Sequence, residues 1–406
     1  MSALTKTNFD FVIIGAGIVG VTLARELKKS FPEKKICILE KEDRLGFHSS
    51  GRNSGVLHAG FYYTADSLKA QFTAQGNRFL KDYCRTKNLH LNSCGKLVVA
   101  KDESDLSQFP VLLDRARSNG VVLEEISDAE ARKLEPRATT FRRALWSPDT
   151  ATIDPNEVIT SLVDEIRQMG VEVLLSCKFL GKSKGFSIRT SVGNLSYGFL
   201  INAAGLYADK IAQAFGFAQG YRILPFKGLY LYCKGSEPLK RHIYPVPNLK
   251  NPFLGVHHTI TVSGGSKIGP TAIPAFWREQ YQGLSRFKFS ELASILSDEA
   301  RLFFSAGFDF RSLALEELKK YYRPYLVKEA KRMASNVDVK DYKSWGQPGI
   351  RAQLFHVKTR KLEMDFLFEG DRQSFHILNA ISPAFTCSQP FAEYLRTKIV
   401  EKMNAP

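Results

Sequence analysis

Phe9-Asp10-Phe11-Val12-Ile13-Ile14-Gly15-Ala16-Gly17-Ile18-Val19-Gly20 changes character twice within one short stretch. The apolar run to Ile14 reads as a buried strand, the spaced glycines Gly15, Gly17 and Gly20 as a tight turn, and Val21 to Lys29 as a helix. A turn of this kind brings a ligand close to the first amides of the helix, where the positive end of the helix dipole favours a pyrophosphate. Ile36-Cys37-Ile38-Leu39 then reads as a second buried strand ending in Glu40, whose carboxylate can accept both hydroxyl hydrogens of an adenosine ribose. The glycine pattern alone is a weak signal, but strand, turn, helix, strand and Glu in this order specify dinucleotide binding. Glu40 in place of an arginine favours FAD or NAD over NADP.

The remaining composition narrows the class. At 406 residues the chain is too long for one ordinary core, so two domains, or one with a large insertion, are expected. Hydrophobic residues at 44% and charged residues at 24% exclude a disordered or low-complexity protein. Six cysteines without a CxxC pair argue for thiols in a reducing compartment, against a disulfide scaffold, and for no metal site. Lys and Arg exceed Asp and Glu by 57 − 41 = 16, yet the basic residues are dispersed among acidic ones and read chiefly as solvated surface. No continuous apolar run is long enough to cross a bilayer, and only eight residues precede Phe9. The expected location is therefore the cytoplasm.

The segment after Glu40 separates flavin from nicotinamide. A nicotinamide domain would continue with a second nucleotide half, whereas Gly46 to Tyr63 is a long loop rich in Gly, Ser, Asn and His. An amphipathic helix comes next, with Leu68, Phe72, Phe79, Leu80 and Tyr83 on its apolar side. Asp154-Pro155-Asn156-Glu157 opens another helix with the stripe Val158, Leu162, Ile166 and Met169, and Phe199-Leu200-Ile201-Asn202 is a buried strand running into Ala203-Ala204-Gly205. Gly228–Cys233 and His258–Val262 read as strands, Phe289–Phe304 and Ser312–Met333 as helices, and Ser388–Met403 as a closing helix. The fold expected is α/β: a discontinuous Rossmann-like FAD-binding domain (1–90, 151–217 and 341–406) with an inserted substrate domain built on a mixed or antiparallel sheet (91–150 and 218–340).

Six pieces in this order carry a family resemblance: Asn53-Ser54-Gly55-Val56-Leu57-His58-Ala59-Gly60, Asn202 to Asp209, Tyr244-Pro245-Val246-Pro247, Pro252 to His257, Gly349-Ile350-Arg351-Ala352-Gln353 and Asn379 to Thr386. Together they resemble the L-2-hydroxyglutarate dehydrogenases and oxidases, within the D-amino-acid-oxidase-like family of FAD-dependent oxidoreductases. Ile381 departs from the pattern, which has a proline there. The resemblance implies non-covalent FAD held by Gly15, Gly17, Gly20, Glu40, Lys41, Ser50, Asn53, Ser54, Gly55, Ala204, Gly205, Gly349, Ser382, Ala384 and Thr386. It also implies that the N-terminus of the closing helix faces the pyrimidine edge of the flavin, although by itself that segment reads as an ordinary strand, turn and helix.

Oxidising a secondary alcohol beside a carboxylate needs a base for the hydroxyl proton and a cation for the carboxylate. Among eight histidines, His58 and His257 fall within the matching pieces, and either is the expected base, His257 being favoured. Arg351 suits a bidentate grip on a carboxylate. A five-carbon 2-hydroxy diacid needs a second anchor, for which Tyr62, Tyr63, Lys227 and Tyr244 are candidates. The basic stretch Leu313–Met333 (Lys319, Lys320, Arg323, Lys328, Lys331, Arg332) would suit a peripheral place on an anionic inner membrane face if electrons pass to a quinone, with oxygen or another carrier as the other acceptors. Two further readings stand beside this one: a flavoenzyme of the same fold acting on glycerol 3-phosphate or an amino acid, and, more remotely, an RNA-binding flavoprotein, against which no nucleic-acid module is legible.

Overall fold

The computed structural model describes residues 7–235, 238–247, 255–305 and 310–405. Two compact units divide the chain: Met1–Arg52, Pro155–Leu224 and Ala352–Pro406 make the first, and Asn53–Asp154 and Pro225–Arg351 the second. The sequence pieces Pro252, Phe253 and Leu254 lie outside the described residues.

In the first unit the strand Thr7–Ile14 lies between two parallel neighbours, Gly193–Asn202 and Ile36–Leu39, with Ile14 beside Asn202 and Leu39. Glu172–Leu174 extends the sheet beyond Ile36–Leu39, and Ser374–Asn379 joins Gly193–Asn202 in parallel. The central strands are apolar on both faces because helices cover them, as a parallel sheet requires. The helix Ile18–Ser30 packs against Pro155–Gln168 and Ser388–Met403. Ser388–Met403 coincides with the helix read from the sequence.

The second unit is built on an eight-stranded mixed sheet in the order Ser344–Trp345, Leu231–Tyr232, Ser266–Gly269, His257–Ile260, His242–Pro245, Lys96–Val99, Arg143–Ser147 and Glu124–Ser127. Only Lys96–Val99 and His242–Pro245 run parallel to each other among these pairs. Alternation along the strands gives the sheet two different faces. Leu97, Val99, Leu231, Ile243, Ile260 and Ile268 enter an apolar core with Leu326, Ala330 and Met333. His258 shares that face and donates its Nε2–H to the Ala330 carbonyl at 3.0 Å.

Several boundaries differ from the sequence reading. Residues 53–90, expected with the cofactor domain, belong to the second unit. There Val56–Leu57 pairs with Ala151–Ile153, and buried Asn77 donates through Nδ2 to the carbonyls of Leu57, His58 and Asp149 at 3.1, 3.2 and 3.1 Å. Residues 218–224 fall in the first unit and 341–351 in the second. The single strand expected over Gly228–Cys233 is broken: Tyr221–Gly228 ends, Leu229 N–H turns to the Thr271 hydroxyl, and Leu231–Tyr232 pairs elsewhere. The expected helix Ser312–Met333 is two, Phe310–Lys319 and Arg323–Lys331, because Pro324 in the first turn lacks the N–H that a continuous helix needs. Lys320, assigned to the basic surface, is buried in an ion pair with Glu317, whereas Lys319, Lys328, Lys331 and Arg332 are exposed.

Candidate active site

The first unit presents a nucleotide cradle made by close backbone approach. Gly15 has φ +110, and a Cβ there would lie 2.5 Å from the Ala203 carbonyl oxygen. A Cβ on Gly20 would lie 2.1 Å from the Gly15 carbonyl oxygen, so neither position admits another residue without moving backbone. The helix begins at Ile18 with Gly17 as a cap that offers no side chain, and Ile18 N–H donates to Ser50 Oγ at 3.0 Å. Glu40 is fixed at the end of its strand by two backbone donors, Ala16 N–H to Oε2 at 3.1 Å and Glu42 N–H to Oε1 at 3.0 Å. Lys41 turns to an ion pair with Glu42, which His48 also meets at 2.9 Å. Ala204 N–H donates to Asn202 Oδ1 at 3.2 Å, and Gly205 takes φ +52. Ser382, Ala384 and Thr386 form the turn before Ser388–Met403, with Ala384 N–H bonded to the Ile381 carbonyl at 2.9 Å. A helix start whose cap brings no side chain, a fixed carboxylate at the next strand's end and glycines that let a ligand approach suit an ADP-ribosyl group.

The expected cofactor residues Asn53, Ser54, Gly55 and Gly349 belong to the second unit. Asn53 Oδ1 accepts from Gly55 N–H at 2.8 Å and Ser54 Oγ from Val56 N–H at 3.2 Å, which shapes the chain ahead of His58.

The other face of the eight-stranded sheet carries a group of buried polar side chains beside Val98 and Leu145, which enter a second apolar cluster. Lys96, His242, Tyr244, His257, Thr259 and Lys267 share this face, because Lys96 is in register with His242, Ile243 with His258, and Thr259 with Lys267. Tyr244 stacks on His257 with ring centroids 3.8 Å apart and planes 24° apart. His257 Nδ1 lies 2.9 Å from the Gly255 carbonyl, which can only accept, so Nδ1 carries the hydrogen and Nε2 the lone pair. Burial, and then the charges of Lys96, His58 and Arg351, hold this imidazole well below the ordinary histidine range. Burial followed by the Lys96 charge brings His58 down to about 3. His242 differs from both, since its Nδ1 accepts from Ile260 N–H at 3.0 Å and its Nε2 meets Thr152 Oγ1 at 3.1 Å; it is a satisfied structural histidine.

Arg351 is partly exposed and donates through Nη1 to the Thr271 carbonyl at 3.0 Å. Its charge acts on both His257 and Tyr230, and burial pushes the Tyr230 phenol up to about 12. The hydroxyl of the same Thr271 donates to the Lys227 carbonyl at 3.0 Å, and burial lowers the Lys227 amine. Tyr62 lies beside Phe61, with centroids 4.2 Å apart, whereas the Tyr63 ring faces Lys69. Arg115 and Asn119 pin this loop through the carbonyls of Tyr62, Gly60 and Tyr63. His58, Tyr62, Tyr244, His257 and Arg351 thus gather in one unit, while Tyr244 itself has no exposed surface. Sequence reasoning passed over Lys96, Tyr230 and Lys267, because a lysine in an alternating strand reads as solvent-facing until strand order shows what covers it.

A family model described as FAD dependent oxidoreductase matches residues 10–393. The chain belongs to this FAD-dependent oxidoreductase family. Within it the chain is 32% identical to the L-2-hydroxyglutarate dehydrogenase of Escherichia coli strain K12, over 96% of this chain and 93% of the relative. It is 33% identical to the human mitochondrial L-2-hydroxyglutarate dehydrogenase, over 95% of this chain and 87% of the relative. Among solved structures of similar fold, an L-alpha-glycerophosphate oxidase from Mycoplasma pneumoniae with FAD bound superimposes with TM-score 0.73 at 21% identity, covering 98% of this chain and 95% of that one. Glycine oxidase from Geobacillus kaustophilus gives TM-score 0.71 at 16% identity, with the same coverage. The cofactor of this flavoenzyme is FAD, and the cradle around Gly15 and Glu40 fits its adenosine diphosphate half.

The cradle generates a direct test. Gly15→Ala adds a Cβ against the Ala203 carbonyl at a φ that L-residues avoid, a strain of about 1–3 kcal/mol. If that strain falls on the bound state, FAD affinity drops by roughly tenfold. The ratio of flavin to protein absorbance after gel filtration reads this, and a variant retaining full flavin would remove Gly15 from the cradle.

Proposed function

We propose that the protein oxidises L-2-hydroxyglutarate to 2-oxoglutarate, with FAD held without a covalent bond. The observation that carries the mechanism is the fixed tautomer of His257: the Gly255 carbonyl occupies Nδ1–H and leaves the Nε2 lone pair as a proton acceptor. When bound, FAD supplies a two-electron acceptor for the hydride leaving C2. His257 takes the hydroxyl proton as that hydride leaves, so the alcohol loses both hydrogens and becomes the ketone. The Tyr244 ring fixes the plane of the imidazole by stacking. Arg351, planar and always charged, grips the carboxylate next to C2, and Lys227, whose main-chain carbonyl accepts from the Thr271 hydroxyl, supplies the cation for the distal carboxylate.

The relatives near 33% identity favour this substrate over glycerol 3-phosphate or an amino acid, since the structures named for those substrates share the fold at lower identity. Electrons then pass to a quinone, another carrier or oxygen. Exposed Leu315, Leu318, Tyr321 and Tyr322 beside Lys319 suit a bilayer surface, and among the described residues no helix is long and apolar enough to cross a membrane.

Anaerobic mixing with L-2-hydroxyglutarate should bleach the flavin absorbance within the turnover time, and denaturing the same sample should release all flavin into the supernatant. Persistence of the oxidised spectrum, with glycerol 3-phosphate bleaching it instead, would overturn the substrate assignment.

His257→Asn keeps a polar side chain but removes the basic lone pair, and anaerobic flavin reduction should slow by roughly 10² to 10⁴ with FAD still bound. Because only the neutral imidazole accepts a proton and burial lowers its pKa, the parental rate should stay level from pH 8 down to about 6.5 and decline only below that. Stopped-flow reduction across pH checks both statements; a parental rate in His257→Asn together with a slow His58→Asn would transfer the role to His58.

Arg351→Lys retains the charge without the two-pronged geometry. It should lower kcat/KM by roughly tenfold, mainly through KM, while FAD stays bound. Parental steady-state kinetics in this variant would pass the carboxylate role to Lys227.

A further inference from the structure

Lys96 is the most deeply buried cation of the polar sheet face, with no exposed surface. Its Nζ has no hydrogen-bond partner among the described residues. Three aromatic rings surround it instead: Nζ lies 5.1 Å from the Phe61 centroid, 5.0 Å from Tyr62 and 4.5 Å from Tyr244. A buried amine left without hydrogen bonds is costly, and ring faces compensate only part of that cost. Such a group is out of place as a purely structural element, because an apolar side chain of the same length would be at least as stable there.

The strand order supplies a reason. Tyr244 sits on the strand between those of Lys96 and His257, so one ring touches both the caged amine and the imidazole. We propose that Lys96 is a positioning residue for the base: its amine holds the Tyr244 ring against His257 and, when protonated, sets a positive charge beside the imidazole that opposes its protonation. This rests on the reading of His257 as the proton acceptor.

The surrounding charges agree in sign. Those acting on His257 are Lys96, His58 and Arg351, and the neighbouring His242 feels Lys96 and Lys267. All disfavour an added proton, and Tyr244 is neutral, since burial raises its phenol. Burial lowers the Lys96 amine to about 7, so its charge is present below that value. That is the range in which His257 would otherwise be protonated. The charge therefore acts where it is needed, keeping the acceptor lone pair available as the pH falls.

The test uses the FAD-loaded enzyme labelled with 15N-histidine. Imidazole resonances are followed across pH, with His257→Asn identifying the His257 signal. Lys96→Met should raise the His257 titration midpoint by about one pH unit, and Lys96→Gln should do the same, guarding against one variant that fails to fold. Lys96→Arg should restore the parental midpoint. The acid limb of anaerobic flavin reduction should shift by the same amount in both neutral variants. An unmoved midpoint in both neutral variants overturns the proposal, as does a KM raised more than tenfold with the limb unchanged, which would make Lys96 a substrate anchor. Fast flavin reduction in His257→Asn would instead overturn the base assignment, and the NMR midpoints would still judge Lys96 by themselves.

Discussion

The parallel pairing of Thr7–Ile14 with Gly193–Asn202 is the constraint on which the first unit depends. It joins segments separated by the whole of the second unit's first insertion, so the chain must close a very long loop before the pairing contributes anything. Burial of the apolar strands on both faces offsets that entropy: Val12, Ile13, Leu200 and Ile201 are fully or almost fully withdrawn from water. Once the strands are in register, their ends are too. Ile14 lies beside Asn202 and Leu39, and the Ala203 N–H reaches the Ile14 carbonyl at 2.9 Å. Gly15 is then forced against Ala203, and the glycine pattern arises from sheet geometry as much as from ligand chemistry.

The second unit solves a different problem. Its eight-stranded sheet sets one face against an apolar core, and on the other its central strands bury His, Lys and Tyr side chains beside a second apolar cluster. The polar face lowers stability relative to an apolar one, since buried amines and imidazoles lose hydration. In return it provides a set of groups whose protonation is governed by their surroundings. His58, His257, Lys96 and Lys267 are all moved toward their neutral forms by burial, so the face carries less charge than its composition suggests. Perturbed groups gathered in this way are characteristic of a reacting site.

Much of the fold was legible because its signals are local. Twelve residues from Phe9 to Gly20 contain a period, a turn and a helix start, and the closing helix Ser388–Met403 has the bounds read from the sequence. Errors arose where the deciding contact was remote. Residues 53–90 come after the nucleotide motif in sequence, yet the Asn77 amide ties them to Asp149 in the second unit. Leu229 and Tyr230 read as mid-strand, and a threonine hydroxyl forty-two positions away interrupts them.

The sequence by itself determined the dinucleotide turn, the carboxylate at the end of the second strand and the α/β class, since each rests on residue type at short spacing, whereas His257 or His58 as base and Arg351 as carboxylate clamp were expectations drawn from the family resemblance. Only the tertiary structure decided which nitrogen of His257 bears the hydrogen, that both ring nitrogens of His242 are engaged, and that Lys96 lies in an aromatic cage instead of facing solvent. The physical reason is that tautomer, burial and charge are properties of neighbours across the sheet. Strand order brings residues 96, 244 and 257 side by side, and no pattern within any one strand records its partners.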